Sequence, residues 1–110
     1  MMFKNKVVIV TGGGQGIGRA ICTAFAAEGA SVVVADIDLA QAQNTAHLLE
    51  EDKAMALAVQ TDVSRASDIE TLVEAVLSRF NRIDILVNNA GLGLFRSVEV
   101  CTEEEWDRVL

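Results

Sequence analysis

Four short apolar runs in the 110-residue sequence each end in a polar residue, and those ends are almost evenly spaced. Val7-Val8-Ile9-Val10 ends at Thr11, Val32-Val33-Val34-Ala35 at Asp36, residues 55–61 at Asp62, and Ile85-Leu86-Val87 at Asn88. The steps between the ends are 25, 26 and 26 residues. Unbroken Val/Ile runs without alternation suit strands buried on both faces, as in a parallel sheet. Parallel neighbours need a crossover, and a step of this length leaves room for one helix in each. The beat therefore predicts the order β-α-β-α-β-α-β.

The intervening segments carry helical patterns. Ile17, Ile21, Ala24 and Phe25 fall at i, i+4, i+7 and i+8, with Gly29 as the stop. Residues 39–51 form a second, weaker pattern rich in Ala and Gln. Ile69, Leu72, Val73, Val76 and Phe80 make a third apolar stripe, with Asn81 placed to end it in a left-handed conformation. Thr102 followed by Glu103, Glu104 and Glu105 is a capping box, and Trp106, Val109 and Leu110 begin a fourth stripe. The fourth helix is thus expected to start here and to be cut short, so that residues 1–110 read as one C-terminally truncated domain.

Composition excludes several classes. The net charge of −7 argues against nucleic acid, whose binding needs clustered Lys and Arg. Cys22, Cys101 and His47 are too few and too far apart for a zinc site, so no metal centre is expected. Four apolar residues after Lys6 are too short for a signal core or a membrane span. A cytoplasmic protein with reduced thiols is expected, with no membrane partner.

Residues 11–18, Thr-Gly-Gly-Gly-Gln-Gly-Ile-Gly, lie between the first strand and the first helix. Unpaired N–H groups at a helix start, reached across glycines that carry no Cβ, suit a phosphate. A Walker loop would need Lys-Ser/Thr after Gly18, where Arg19-Ala20 stands. The spacing G-x-G-x-x-G also fails, whereas G-x-x-x-G-x-G fits at Gly12, Gly16 and Gly18.

Asp36, at the second strand end, can accept from the ribose hydroxyls of an adenosine. It would repel a 2′-phosphate. Two unit charges about 4 Å apart at an effective dielectric of ~20 interact by roughly 4 kcal/mol, and half of that is more than tenfold in affinity. No Lys or Arg lies beside it, and Asp38 adds a second negative charge while being free to cap the next helix. NAD is therefore predicted over NADP. Together with Asp62 and Asn88-Asn89, these polar ends fall on the carboxyl edge of the sheet, where open α/β sheets bind ligands.

Thr11-Gly12, Gly16-Ile17-Gly18, Asp36, Asp62-Val63 and Asn88-Asn89-Ala90-Gly91 resemble the short-chain dehydrogenase/reductase family over residues 5–110. The resemblance implies an α/β fold, a three-layer doubly wound parallel sheet (Rossmann-like), of which this is a part. It implies that residues 12–18 hold the pyrophosphate side of NAD, with Gln15 and Ile17 in contact. Asp36 would bind the adenosine ribose, and Asp62 and Val63 the adenine. Asn89 would contact the cofactor, while the turn of residues 88–91 steadies the central strands. Family members preferring NADP often carry a basic residue where this chain has Gln15.

The family's chemistry, interconversion of alcohols and carbonyls by hydride transfer, uses Ser and a Tyr-x-x-x-Lys pair. This chain has no Tyr, so no catalytic residue is assigned within it, and alone it is expected to be inactive. His47 reads as a solvated helix residue. The complete protein is expected to be a homo-oligomer acting on a small alcohol or carbonyl compound. The alternatives are a non-catalytic NAD sensor or degenerate partner subunit, and a flavodoxin-like or signalling domain. In the family's strand order, residues 83–87 would be left as an open apolar edge, prone to aggregation.

Overall fold

The computed structural model describes residues 1–89 and 97–100. In chain order the elements are β1 (Val7–Thr11), α1 (Gly16–Ala27), β2 (Ser31–Asp36), α2 (Leu39–Glu51), β3 (Ala56–Gln60), α3 (Ala66–Phe80), β4 (Ile85–Asn88) and β5 (Ser97–Val100). The strands lie in the order β3-β2-β1-β4-β5. The first four are parallel, with Thr11 registered against both Ala35 and Asn88, and Asp36 against Gln60. This is the predicted doubly wound arrangement.

The reason for unbroken apolar runs is visible in the two cores. Val8, Val10, Val32 and Val34 face α1 and α2 together with Cys22, Ala42, Ala46 and Leu49. Val7, Ile9, Val33 and Ala35 point the other way, onto Leu72, Val73 and Val76 of α3. Successive strand side chains alternate in direction, so a strand covered on both sides needs apolar residues at every position. Among the described residues, no helix is long and apolar enough to cross a membrane.

Helix ends follow their local chemistry. Asp38 caps α2 by accepting from the Gln41 N–H at 3.2 Å, the role left open for it. Asn81 ends α3 at φ 63°. One helical face is corrected in part. Ile21 and Phe25 pack half-buried against the core as expected, whereas Ile17 and Ala24 are exposed and Gly18 and Cys22 are the buried residues of α1. Gly18 abuts Gly12 just past the end of β1, so this part of α1 packs through a residue without a side chain. The third polar end also shifts. Asp62 lies two residues beyond β3, in the loop before α3.

The expected open edge along residues 83–87 is overturned. β5 pairs antiparallel with β4, Ile85 opposite Val100 and Asn88 opposite Ser97. The paired edge removes the reason to expect aggregation there. The alternation Val98-Glu99-Val100 was the available strand signal. The predicted start of a fourth helix, with Thr102 and Trp106, and also Cys101, Ala90 and Gly91, lie outside the described residues.

A carboxylate joins the amino ends of β1 and β4. Asp84 Oδ2 accepts the Val7 N–H at 2.8 Å, and Arg82 binds both Asp84 oxygens at 2.8 and 2.7 Å. Burial pushes the Asp84 carboxyl up, but the Arg82 hydrogen bonds, the Val7 N–H and the charges of Arg82 and Lys6 outweigh it and hold the group below its ordinary value. A carboxyl lowered on folding stabilises above its unfolded pKa of about 3.9, and that contribution is lost as pH falls through the folded value. Thermal melts from neutral pH down to the acid limb should therefore show a smaller acid-induced loss of Tm for Asp84→Asn than for the parent. At neutral pH the variant should be less stable by about 1 kcal/mol, since the half-exposed Arg82 is screened by water and asparagine keeps an acceptor for the Val7 N–H.

Candidate functional site

The carboxyl edge of the sheet forms a cleft of about 350 Å³ lined by Gly12, Gln15, Asp36, Ile37, Thr61, Asp62, Val63 and Asn89. Six of these were singled out from sequence, and they converge because β1, β2, β3 and β4 end side by side. An apolar hollow beside α3, lined by Ile9, Ile69, Leu72 and Val73 among others, lacks the charged groups of the cleft.

The floor of the cleft is a hydrogen-bonded joint between β1 and β4. Thr11, buried, donates toward Val87 O and Asn88 Oδ1, and its hydroxyl oxygen accepts the Asn89 N–H at 3.0 Å. Asn89 Nδ2 donates to Gly12 O at 3.1 Å. Among the described residues, Asn89 Oδ1 is buried without a hydrogen-bond partner. Such an atom costs free energy unless something donates to it.

The glycine loop leaves the start of α1 open. Gln15 stands at the cap position in extended conformation and its side chain makes no capping hydrogen bond. Gly16 has φ 59°, and a Cβ there would meet nothing within 4 Å. Gly18 is the opposite case, since a Cβ there would collide with the Gly12 carbonyl oxygen and lie 2.7 Å from Asn89 Nδ2. The result is an uncapped helix terminus facing free space, the geometry that suits an anion. Ile17 is exposed and lies outside the lining of the cleft.

Asp36 is fixed by two backbone donors. Oδ2 accepts the Gly14 N–H at 2.9 Å and Oδ1 accepts the Asp38 N–H at 3.0 Å. An ionised carboxylate has about four acceptor positions, so two remain for vicinal hydroxyls. Asp62 is held by Ser64, whose N–H and hydroxyl reach Oδ1 at 3.0 and 2.6 Å. The Ser64 hydroxyl and N–H bonds, against a small opposing burial effect and aided by Arg65, keep the Asp62 carboxyl below its ordinary value. It is therefore an ionised acceptor at neutral pH.

Sequence reading missed four contributors, Ile37 and Thr61 in the lining of the cleft and Arg19 and Thr45 behind the loop. Ile37, 63% exposed, joins the half-exposed Val63 to give the cleft two apolar walls. An isoleucine between Asp36 and Asp38 was a usable signal. Arg19 and Thr45 support the loop from behind by holding Gly14 O, and the one local mark of Thr45 is its place on the helix face of Ala42, Ala46 and Leu49. Conversely, His47 is as solvated as expected, 78% exposed and 3.9 Å from Glu50.

Cys22 touches the back of the loop, 3.9 Å from Gly13 O. Burial pushes its thiol up to about 12, against smaller lowering effects from its own backbone hydrogen bond and Arg19. With every other cysteine replaced by serine, the folded protein should react negligibly with a thiol reagent at mild alkaline pH. Full reaction is expected after denaturation.

Comparison with known proteins agrees with this geometry. The family described as short chain dehydrogenase matches residues 6–110. The chain is 43% identical over 109 residues to a galactitol 2-dehydrogenase of Agrobacterium fabrum, covering 99% of this chain and 41% of that protein. It superposes on a hydroxysteroid dehydrogenase from Escherichia coli with TM-score 0.80 and 37% identity, covering 83% of this chain and 39% of the other. A short chain dehydrogenase/reductase from Burkholderia phymatum, in complex with NAD, gives TM-score 0.75 and 34% identity over 78% of this chain and 31% of its own. The chain spans less than half the length of these relatives. With the family matched from the first strand to Leu110 and the carboxyl-edge cleft in place, this chain belongs to the short-chain dehydrogenase/reductase family.

Proposed function

We propose that residues 1–110 are the NAD-binding portion of an oxidoreductase that interconverts an alcohol and a carbonyl compound by hydride transfer. The observation that carries this reading is Asp36, whose two oxygens are each fixed by one backbone N–H and keep acceptor capacity at the mouth of the cleft. The uncapped start of α1 would take the pyrophosphate, with Gly12, Gln15, Gly16 and Ile17 nearest it and Gly18 giving the close approach. Asp36 would accept from both ribose hydroxyls. Asp62 would accept from the adenine amino group, between the apolar faces of Ile37 and Val63. Thr11 holds Asn89 in place, and Asn89 would turn its unpartnered Oδ1 to a donor of the cofactor. Ala90 and Gly91 are proposed as the rest of that turn.

Bound NAD supplies the hydride acceptor. The chain itself binds and orients it, and the general acid/base comes from outside these residues, since they contain no Tyr. The complete protein is proposed to act as a homo-oligomer. Its test is the absorbance of NADH on mixing the complete protein with NAD and a panel of secondary alcohols. NADH should form with at least one alcohol, and the isolated 110-residue chain should form none. NAD binding by the complete protein without turnover on any alcohol or carbonyl compound would favour a sensor instead.

A further inference from the structure

Asp36 can read a ribose only if it is held still, and the holding begins in a helix that does not touch the cleft. The Gly14 peptide is gripped on both sides. Its N–H donates to Asp36 Oδ2, while its carbonyl accepts from Arg19 Nη2 at 2.7 Å and from Thr45 Oγ1 at 3.0 Å. Arg19 Nε in turn donates to Thr45 Oγ1 at 2.9 Å, and its Nη2 reaches Gln41 Oε1 at 3.4 Å. Thr45, in the middle of α2, is completely buried. One hydroxyl therefore uses its proton on the loop and its lone pair on the guanidinium. Valine, which matches its shape, can do neither.

We propose that Thr45 and Arg19 are positioning residues that set the choice between NAD and NADP. This rests on the reading of the cleft as an NAD site. The clamp acts in two ways. It fixes Gly14, and through Gly14 the orientation of the Asp36 carboxylate toward the ribose hydroxyls. It also keeps the Arg19 guanidinium on the Gly14 carbonyl, Thr45 and Gln41, so that this positive charge does not swing forward to meet a 2′-phosphate. Loss of the Thr45 hydroxyl relaxes both constraints in the same direction, weakening NAD and relieving the bar against NADP.

The test is calorimetric titration of NAD and NADP into the complete protein and its Thr45→Val, Thr45→Ser and Arg19→Gln variants. Parent protein that binds neither nucleotide would sink the NAD reading itself, and with it this one. Given parent binding, Thr45→Val should weaken NAD about five- to tenfold, the size of effect expected from one or two hydrogen bonds. NADP should be unchanged or tighter, so that the affinity ratio falls. Thr45→Ser should return the ratio to within about twofold of the parent, because it restores the hydroxyl. Arg19→Gln, at a half-buried position, should weaken NAD without tightening NADP, and it keeps the idea testable if Thr45→Val does not fold. An unchanged NAD-to-NADP ratio in Thr45→Val, or a serine variant as impaired as the valine one, would overturn the proposal. So would Arg19→Gln binding NAD as the parent does.

Discussion

Replacing Gly18 by alanine is expected to abolish NAD binding and to destabilise the protein by about 3 kcal/mol, the upper end for an overpacked site. For a protein of the length of its relatives, that lowers Tm by roughly 6–12 °C. The new methyl group would strike the Gly12 carbonyl oxygen, a backbone atom that cannot swing aside, and would press on the Asn89 side-chain amide. α1 must then separate from the end of β1, and the loop loses the shape that opens the helix terminus. Gly16→Ala provides the contrast. Its methyl group meets nothing, so the cost is the left-handed backbone at φ 59° alone, roughly 1–2 kcal/mol. Yet that methyl group would stand in the space proposed for the pyrophosphate. Melting curves and NAD titrations of the two variants should therefore separate, with binding lost in both but most of the stability kept in Gly16→Ala. Equal Tm losses would mean that Gly18 has no special packing role.

Asp36→Ala should produce the largest change in nucleotide preference. Hydrogen bonds from two ribose hydroxyls to a charged acceptor contribute roughly 1.5–3 kcal/mol each. Allowing half of that for water taking the place of the carboxylate, about 1.5–3 kcal/mol remains, or roughly a 10- to 150-fold loss of NAD affinity. Removing the negative charge should at the same time improve NADP more than tenfold, from about 2 kcal/mol of relieved repulsion. The carboxylate also anchors the Gly14 N–H and the Asp38 N–H, so some loss of loop order accompanies the change. Asp36→Asn keeps one acceptor and should fall between. Parallel losses of both nucleotides in Asp36→Ala would show that the carboxylate shapes the loop without reading the 2′ position.

The parts of the fold legible in sequence were those written by local rules. Val7 to Val10 and Val32 to Ala35 are apolar at every position because each strand is covered on both faces, and that pattern needs no knowledge of the partners. Asn81 and Asp38 were readable because caps depend on a few neighbouring residues. Two of the four residues expected on the buried face of α1, Ile17 and Ala24, were misjudged, and the helix packs closely instead through Gly18 against Gly12. Hydrophobic periodicity cannot register a contact made by the absence of a side chain. β5 was missed because an antiparallel edge strand of four residues carries little signal beside three longer runs.

Within the site, the residues reached by strand-end spacing came together as expected, since register carries Thr11, Ala35 and Asn88 to one level. Those acting from behind were not legible. Thr45 contacts Gly14 across 31 positions of sequence. Its spacing with Ala42, Ala46 and Leu49 puts it on the buried face of α2, but its hydrogen-bond partners exist only once α2 is packed. Ile37 lay in plain view, but an exposed isoleucine gains meaning only when Val63 stands across from it in the cleft.

Titrating NAD and NADP separately into the complete protein by calorimetry tests the central claim most directly. The expected result is one NAD bound per chain, with a dissociation constant at least about tenfold below that for NADP. Equal or tighter binding of NADP, or no binding of NAD, would contradict it.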